Sequence, residues 1–288
     1  MKRKRYLIFA SMFLLVCGFF TGHTRANEAR DSLPLKFSFD YSFVSDYVWR
    51  GQDLTPNSSS ASHQMTAELE LDLGNYGQLG GSTWFQFNDD YTGDCLMEVD
   101  YSAYYGYTIK PIGLDTEIGF IYYEFPRAES GNTQEIYLSL EWDDSILWRG
   151  FGLDVKDPVL NPYASIYYDI DNGGAYGEMG VSHDFYLTDY GFSDTPVLKD
   201  TSVGLSCSMG WANDWFLVAD YDGPVTMQYG LSATTDLKKA LGLSDDCCGE
   251  MYVTGFLNYN HALTNNDSSS ESMMADILWG GLTVGFEW

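Results

Sequence analysis

Basic residues are scarce in this chain: 15 Lys and Arg stand against 41 Asp and Glu in 288 residues, a formal charge of −26. Five of the 15, Lys2, Arg3, Lys4, Arg5 and Arg25, lie in the first 26 positions, which hold no acidic residue. The remainder carries ten basic and 41 acidic residues, a formal charge of −31. Nucleic acid is excluded as a partner, because phosphate binding demands the opposite sign. Cysteine is scarce as well. Beyond Cys17 there are Cys95, Cys207, Cys247 and Cys248, too few for a disulfide scaffold in a chain of this length. No Cys/His spacing resembles a zinc site, and no cofactor is expected. Outside the first 26 residues the histidines are His63, His183 and His261. No GxSxG is present and no Ser-His set assembles by spacing, so all three read as structural and the chain as a non-enzyme. Asp169-x-Asp171-x-Gly173 begins like a calcium loop but lacks the third ligand and the closing Glu, and reads as a hairpin turn. No segment past residue 26 is apolar over the roughly 20 residues a spanning helix needs. If the chain lives in a membrane, it does so as a closed barrel, since only helices and closed barrels satisfy every backbone group in lipid.

What is present begins with export. Lys2–Arg5, an apolar run from Tyr6 to Phe20 and the small residues of Thr24-Arg25-Ala26 read as a secretory signal peptide over residues 1–26. Val16 before Cys17 does not suit a lipobox, so the cysteine belongs to the apolar run. Residues 27–35 read as a short polar periplasmic leader, and 36–288 as one barrel domain. Aromatics make up 16% of the chain, 22 of them Tyr, which argues against disorder.

The stretch Lys36–Gly51, KFSFDYSFVSDYVWRG, sets the pattern. Phe37, Phe39, Tyr41, Phe43, Tyr47 and Trp49 alternate with Lys36, Ser38, Asp40, Ser42, Asp46 and Arg50, with Ser45 the exception. A strand turns successive side chains to opposite faces, so one face is aromatic and the other polar. A soluble sandwich would bury the aromatic face; an outer-membrane barrel shows it to lipid and turns the polar face to the lumen. Similar runs follow over 64–73, 79–88, 96–110, 114–125, 133–142, 162–171, 174–186, 200–211, 225–234 and 250–261, and a last one ends at Leu282, Val284, Phe286 and Trp288. The expected fold is all-β: a transmembrane up-and-down antiparallel barrel of about 12 strands. An even count puts both ends on the periplasmic side. Connections after odd runs, such as 51–61 and 262–275, are then extracellular, and those after even runs should be short turns. GNYGQ (74–78) and KPIG (110–113) obey; 143–161, 187–199 and 235–249 do not. Residues 235–242, TDLKKALG, read as one short helix capped by Thr235 or Asp236 and ended by Gly242. Asp143–Asn161 reads as irregular. The terminal aromatic strand is the kind of signal that the barrel-assembly machinery would take as a partner.

Two motifs carry a family resemblance. SDYVWRG (45–51) resembles the first-strand signature of the TorF-like porins, the Gcw_chp family, and LNPYASIYYDIDNGGAYGE (160–178) is similar to its mid-chain segment. The resemblance implies a signal peptide, an outer-membrane barrel and a porin role. By parity the lumen face holds the pore-lining candidates Asp40, Asp46, Arg50, Glu68, Glu70, Asp72, Glu98, Asp100, Asp115, Glu117, Glu135, Glu141, Asp169 and Glu178. Rings of carboxylates favour cations. The expected function is passive diffusion of small hydrophilic solutes or cations across the outer membrane. The alternatives are a closed structural or adhesive barrel, whose carboxylates are bonded to Tyr and Ser, and an outer-membrane hydrolase using His63 or His261. Arg50 is expected to pair with Asp46 or Glu68 at the rim. A strained Cys247–Cys248 pair and two free thiols both stay open.

Overall fold

The computed structural model describes residues 34–55, 61–88, 96–126, 131–214, 222–243, 249–263, 274 and 276–288. The segments expected to be a signal peptide and, up to residue 33, a leader lie outside them, as do Cys95, Cys247 and Cys248.

Twelve long strands form one closed antiparallel barrel. They are β1 (Leu35–Val44), β4 (Ser62–Asp72), β5 (Gln78–Asn88), β6 (Leu96–Ile109), β7 (Leu114–Glu124), β8 (Thr133–Trp142), β9 (Tyr163–Asp169), β10 (Ala175–Tyr186), β11 (Thr201–Asn213), β12 (Asp222–Asp236), β13 (Glu250–Ala262) and β14 (Ile277–Glu287). Each pairs with the next, and β1 pairs with both β4 and β14. Two further short strands, β2 (Val48–Trp49) and β3 (Gln52–Asp53), form a separate hairpin.

The alternation sorts as the sequence implies for a membrane barrel. Apolar side chains stand outward and exposed, among them Phe43, Ile118 (60%), Leu138, Ile166, Leu231 and Leu278 (61%). The inward positions between them carry Ser, Thr, Asn, carboxylates and tyrosines. A soluble sandwich would have hidden that apolar set, and water would not tolerate so broad an apolar surface.

The inward wall has a recurring unit that the periodicity does not reveal. Tyr104 on β6 lies beside Gly80 on β5, Tyr137 on β8 beside Gly119 on β7, Tyr163 on β9 beside Gly180 on β10, and Tyr252 on β13 beside Gly285 on β14. A Cβ built on any of these glycines would meet the tyrosine ring. The ring occupies the missing side chain's place and carries its hydroxyl onward to a carboxylate. Tyr252 reaches over β14 to Asp40 on β1. It thus spans the seam that Phe37 and Trp288 close with reciprocal backbone hydrogen bonds of 2.7 Å. Gly119→Val should push Tyr137 off its seat and destabilise the barrel by about 1–3 kcal/mol, the usual range for overpacking. Urea unfolding in detergent, followed by tryptophan fluorescence, measures it.

The connections at the end carrying Leu35 and Trp288, here the proximal end, correct one expectation. Residues 143–161 hold a short helix, α1 (Ser145–Gly150), and 187–200 hold two 3-10 turns. Both excursions are long, as their sequences indicate, and α1 gives 143–161 a regular element where the sequence reads as irregular. The helix expected over 235–242 is α2 (Leu237–Ala240), whose cap Asp236 accepts from the Lys239 N–H at 3.0 Å.

Asp144 organises the first excursion. Its carboxylate accepts Trp148 Nε1–H (2.7 Å) and the backbone N–H groups of Val159 (2.7 Å) and Leu160 (3.0 Å). Burial alone would raise its pKa, but these hydrogen bonds outweigh it and hold the carboxyl below its usual range. A depressed folded pKa stabilises above the unfolded value, about 3.9, and the stabilisation is lost as pH falls through the folded one. Asp144→Asn should therefore make residues 150–160 more sensitive to trypsin at neutral pH. Acid should loosen the wild-type segment and leave the variant unchanged. Limited proteolysis reads both, with trypsin at neutral pH and pepsin in acid.

Candidate functional site

The chain does not continue as a strand past Val44. At Ser45, the residue that breaks the alternation, it turns into the barrel, and β2 and β3 fold across the lumen at the end opposite Leu35 and Trp288, the distal end. The tip is Arg50-Gly51, with φ of +50° and +84°. Positive φ at both central residues is what a two-residue type I′ hairpin requires. Gly51 is needed twice over, because a Cβ there would strike Thr226 on β12.

The hairpin is anchored around the wall. Arg50 reaches Glu135 on β8 with two parallel hydrogen bonds of 2.7 Å, and the two side chains are 8% and 1% exposed. Its guanidinium lies 4.4, 4.2 and 4.8 Å from the ring centroids of Trp49, Tyr167 and Tyr176, which gives cation–π contact in a desolvated setting. Tyr123 donates a further 2.7 Å hydrogen bond to Glu135. Tyr47 donates to Glu98 on β6 at 2.8 Å and packs on Trp84. Asn260 on β13 donates to the Gly51 carbonyl at 3.1 Å. Gln52, fully buried, bridges to Met274. Met274 in turn packs with Tyr176, Ala212 and Val225.

This arrangement corrects several expectations. Tyr47 and Trp49 face the lumen filling, not lipid. Arg50 pairs with Glu135, not with Asp46 or Glu68, because the turn at Ser45 carries it across the barrel. Asp46 stands just past the end of β1 rather than on a wall strand. Val225 keeps the apolar parity of Met227, Tyr229 and Leu231 in the sequence, yet it turns inward at a register shift opposite Gly210 and Trp211 and is fully buried. Glu98, Asp100 and Glu135 are at the hairpin's level on the inward face. Asp169, also fully buried, serves the β9–β10 turn: it accepts from Thr133 Oγ1 (2.9 Å) and from the backbone N–H groups of Asp171 and Asn172. The Asp169–Gly173 stretch is thus the hairpin turn that the sequence suggests.

Below the hairpin the lumen wall is acidic, and each central carboxylate meets a tyrosine. Tyr104 donates to Glu68, with Glu70 3.4 Å away; Tyr137 donates to Glu117 at 2.7 Å; Tyr163 donates to Glu178 at 2.7 Å; Tyr252 donates to Asp40. Lys36 pairs with Glu70 at 3.2 Å. Nearer the proximal end a cavity of about 480 Å³ is lined by Gln78, Thr108, Asp115, Glu117, Ser139 and Glu141. At that rim Asp72 accepts from the Gly74 N–H, Asp115 from Thr108, and Glu141 from Asn161. No group of three His, Cys, Asp or Glu among the described residues is placed to hold a metal.

The histidines are dispersed on the outer face. His63 bonds Tyr41 at 2.5 Å, His261 pairs with Asp276 at 2.9 Å, and His183 packs on Phe185. His63 and His261 were the candidates for an enzymatic rim, and neither is held by a nucleophile–base chain among the described contacts.

The fold and its lining define a barrel of the outer-membrane type. Among solved structures the chain is similar to an outer membrane channel from Pseudomonas putida F1, with a TM-score of 0.48 and 9% identity over 89% of this chain and 96% of that one. It is similar to the translocator domain of the autotransporter NalP from Neisseria meningitidis, with a TM-score of 0.46 and 10% identity over 96% of each chain. It is also similar to the KdgM porin, with a TM-score of 0.42 and 12% identity over 87% of this chain and 98% of that one. These likenesses are of architecture. No family model and no curated protein matches the chain, so the resemblance to the TorF-like porins rests on its two motifs.

Proposed function

We propose that the protein is a narrow diffusion channel of the bacterial outer membrane, with its termini in the periplasm and a preference for small cations. One observation carries this reading: the inward wall below the hairpin holds Asp40, Glu68, Glu70, Glu117 and Glu178, and Lys36 is already paired with Glu70. Hydrogen bonds from tyrosines fix the positions of these carboxylates. A ring of fixed negative charge raises cation concentration in the lumen and repels anions. The hairpin sets the size limit at the distal mouth. Export by residues 1–26 and insertion through the β14 end belong to the same reading.

The filled distal lumen favours a second reading, a closed barrel whose hairpin seals it. Planar-bilayer recording separates the two. Under a salt gradient, Glu68→Gln/Glu70→Gln/Glu117→Gln should move the reversal potential toward zero while steps remain. A folded barrel that gives no steps at all would favour the sealed reading.

A further inference from the structure

The proximal end carries an apolar groove of about 660 Å³ on the outside of the barrel. Its walls are Pro111 and Ile112 of the β6–β7 turn, Leu114 and Trp142 at the ends of β7 and β8, and Leu147 and Phe151 of the α1 excursion. The excursion is pinned there at Gly113. Ile146 lies against the backbone of Gly113, and the Asp143 N–H donates to the Gly113 carbonyl at 2.8 Å. Ile112, Leu147 and Phe151 are nevertheless exposed, Phe151 to 72%. Exposing such surface to water costs about 25 cal/mol per Å².

The groove is continuous with the lipid-facing wall. Leu114 and Trp142 are the last outward residues of their strands, and Ile118 and Leu138 continue the same face toward the barrel's middle. Trp142 donates its indole N–H to the Ile112 carbonyl at 2.8 Å, so its polar edge is satisfied at the level where tryptophans border a bilayer. Two exposed cations adjoin the lining residues in the chain: Lys110 before Pro111, and Arg149 before Gly150, whose guanidinium also makes a long 3.5 Å hydrogen bond to the Val155 carbonyl. The acids that adjoin the lining residues or α1 in the chain have other partners: Asp115 accepts from Thr108, Glu141 from Asn161, Asp143 from Ser145, and Asp144 from the backbone of residues 159–160. Asp154 and Asp157 stand further along the segment.

We propose that this groove holds one acyl chain of a glycerophospholipid from the periplasmic leaflet, with the lipid phosphate beside Lys110 and Arg149. The proposal rests on the membrane orientation above and is separate from conduction. It explains why a connection at the periplasmic end is long and apolar instead of a short polar turn.

The test is lipid retention. The barrel is inserted into vesicles of phosphatidylethanolamine and phosphatidylglycerol, released in detergent, washed and weighed by native mass spectrometry. The wild type should retain about one phospholipid, and Lys110→Ala/Arg149→Ala should cut occupancy about fivefold, a difference of about 1 kcal/mol. Leu147→Glu/Phe151→Glu should abolish retention, while heat-modifiable mobility and conductance stay as in the wild type. Wild-type barrel that inserts but leaves the detergent wash without lipid overturns the groove alone, as does equal retention by the cation-deleted variant. A barrel that does not enter vesicles overturns the membrane reading together with it.

Discussion

Arg50→Met is expected to cost the barrel about 3–5 kcal/mol, the penalty for stranding one partner of a buried ion pair. Glu135 is 1% exposed and takes both guanidinium hydrogen bonds; with Arg50 gone, Tyr123 is its one remaining donor among those described. The methionine also loses the planar contact with Trp49, Tyr167 and Tyr176. Glu135→Gln in the same chain removes the stranded charge. The double variant should recover much of the loss, because replacing both partners of a buried pair with neutral groups is often nearly neutral. A double-mutant cycle from urea unfolding in detergent reads the coupling directly. Equal, additive losses in the two single variants would mean that the pair does not hold the hairpin.

The second large effect is on conduction. Replacing residues 46–54 by a short Gly-Ser linker leaves all twelve wall strands intact and removes the segment that crosses the lumen. Twelve strands lie between the roughly eight that side chains alone can fill and the 16–18 of open porins. The emptied distal mouth should therefore raise single-channel conductance at least about threefold relative to the wild type, with the cation preference retained, because the carboxylates that set it lie below the hairpin. Unchanged step size would place the narrowest point elsewhere. The comparison also bears on the sealed reading, since a silent wild type and a conducting hairpin deletion would make the hairpin a plug.

The barrel was legible in the sequence because lipid imposes an alternation on its outer face, which the strands keep apart from local register shifts such as the one at Val225. The hairpin was not legible, although its signals were present. Ser45 breaks the alternation, and Arg50-Gly51 suits a turn. Tyr47 and Trp49 hid it by keeping the parity of β1, and an aromatic that fills a lumen has the same composition as one that faces lipid. Glu68, Glu70 and Glu117 could be placed inward by parity alone. Their tyrosine partners could not, because Tyr104, Tyr137 and Tyr252 stand on the polar faces of their strands and depend on register and on glycines one strand away. Asp40 and Tyr252 are 212 residues apart, a contact that only barrel closure creates. Asp169 shared the parity of the wall acids, yet its hydroxyl and amide donors claim it for a turn. The α2 helix was visible from its Asp236 cap. The six residues of α1 are fewer than two turns and carry no clear periodicity.

The account turns on one recording: the reversal potential of the refolded wild-type barrel in a planar bilayer under a tenfold KCl gradient. An acidic lumen predicts small, stable steps and a potential displaced toward that of potassium. A potential displaced toward that of chloride would contradict it, as would silence from a barrel that is folded by heat-modifiable mobility.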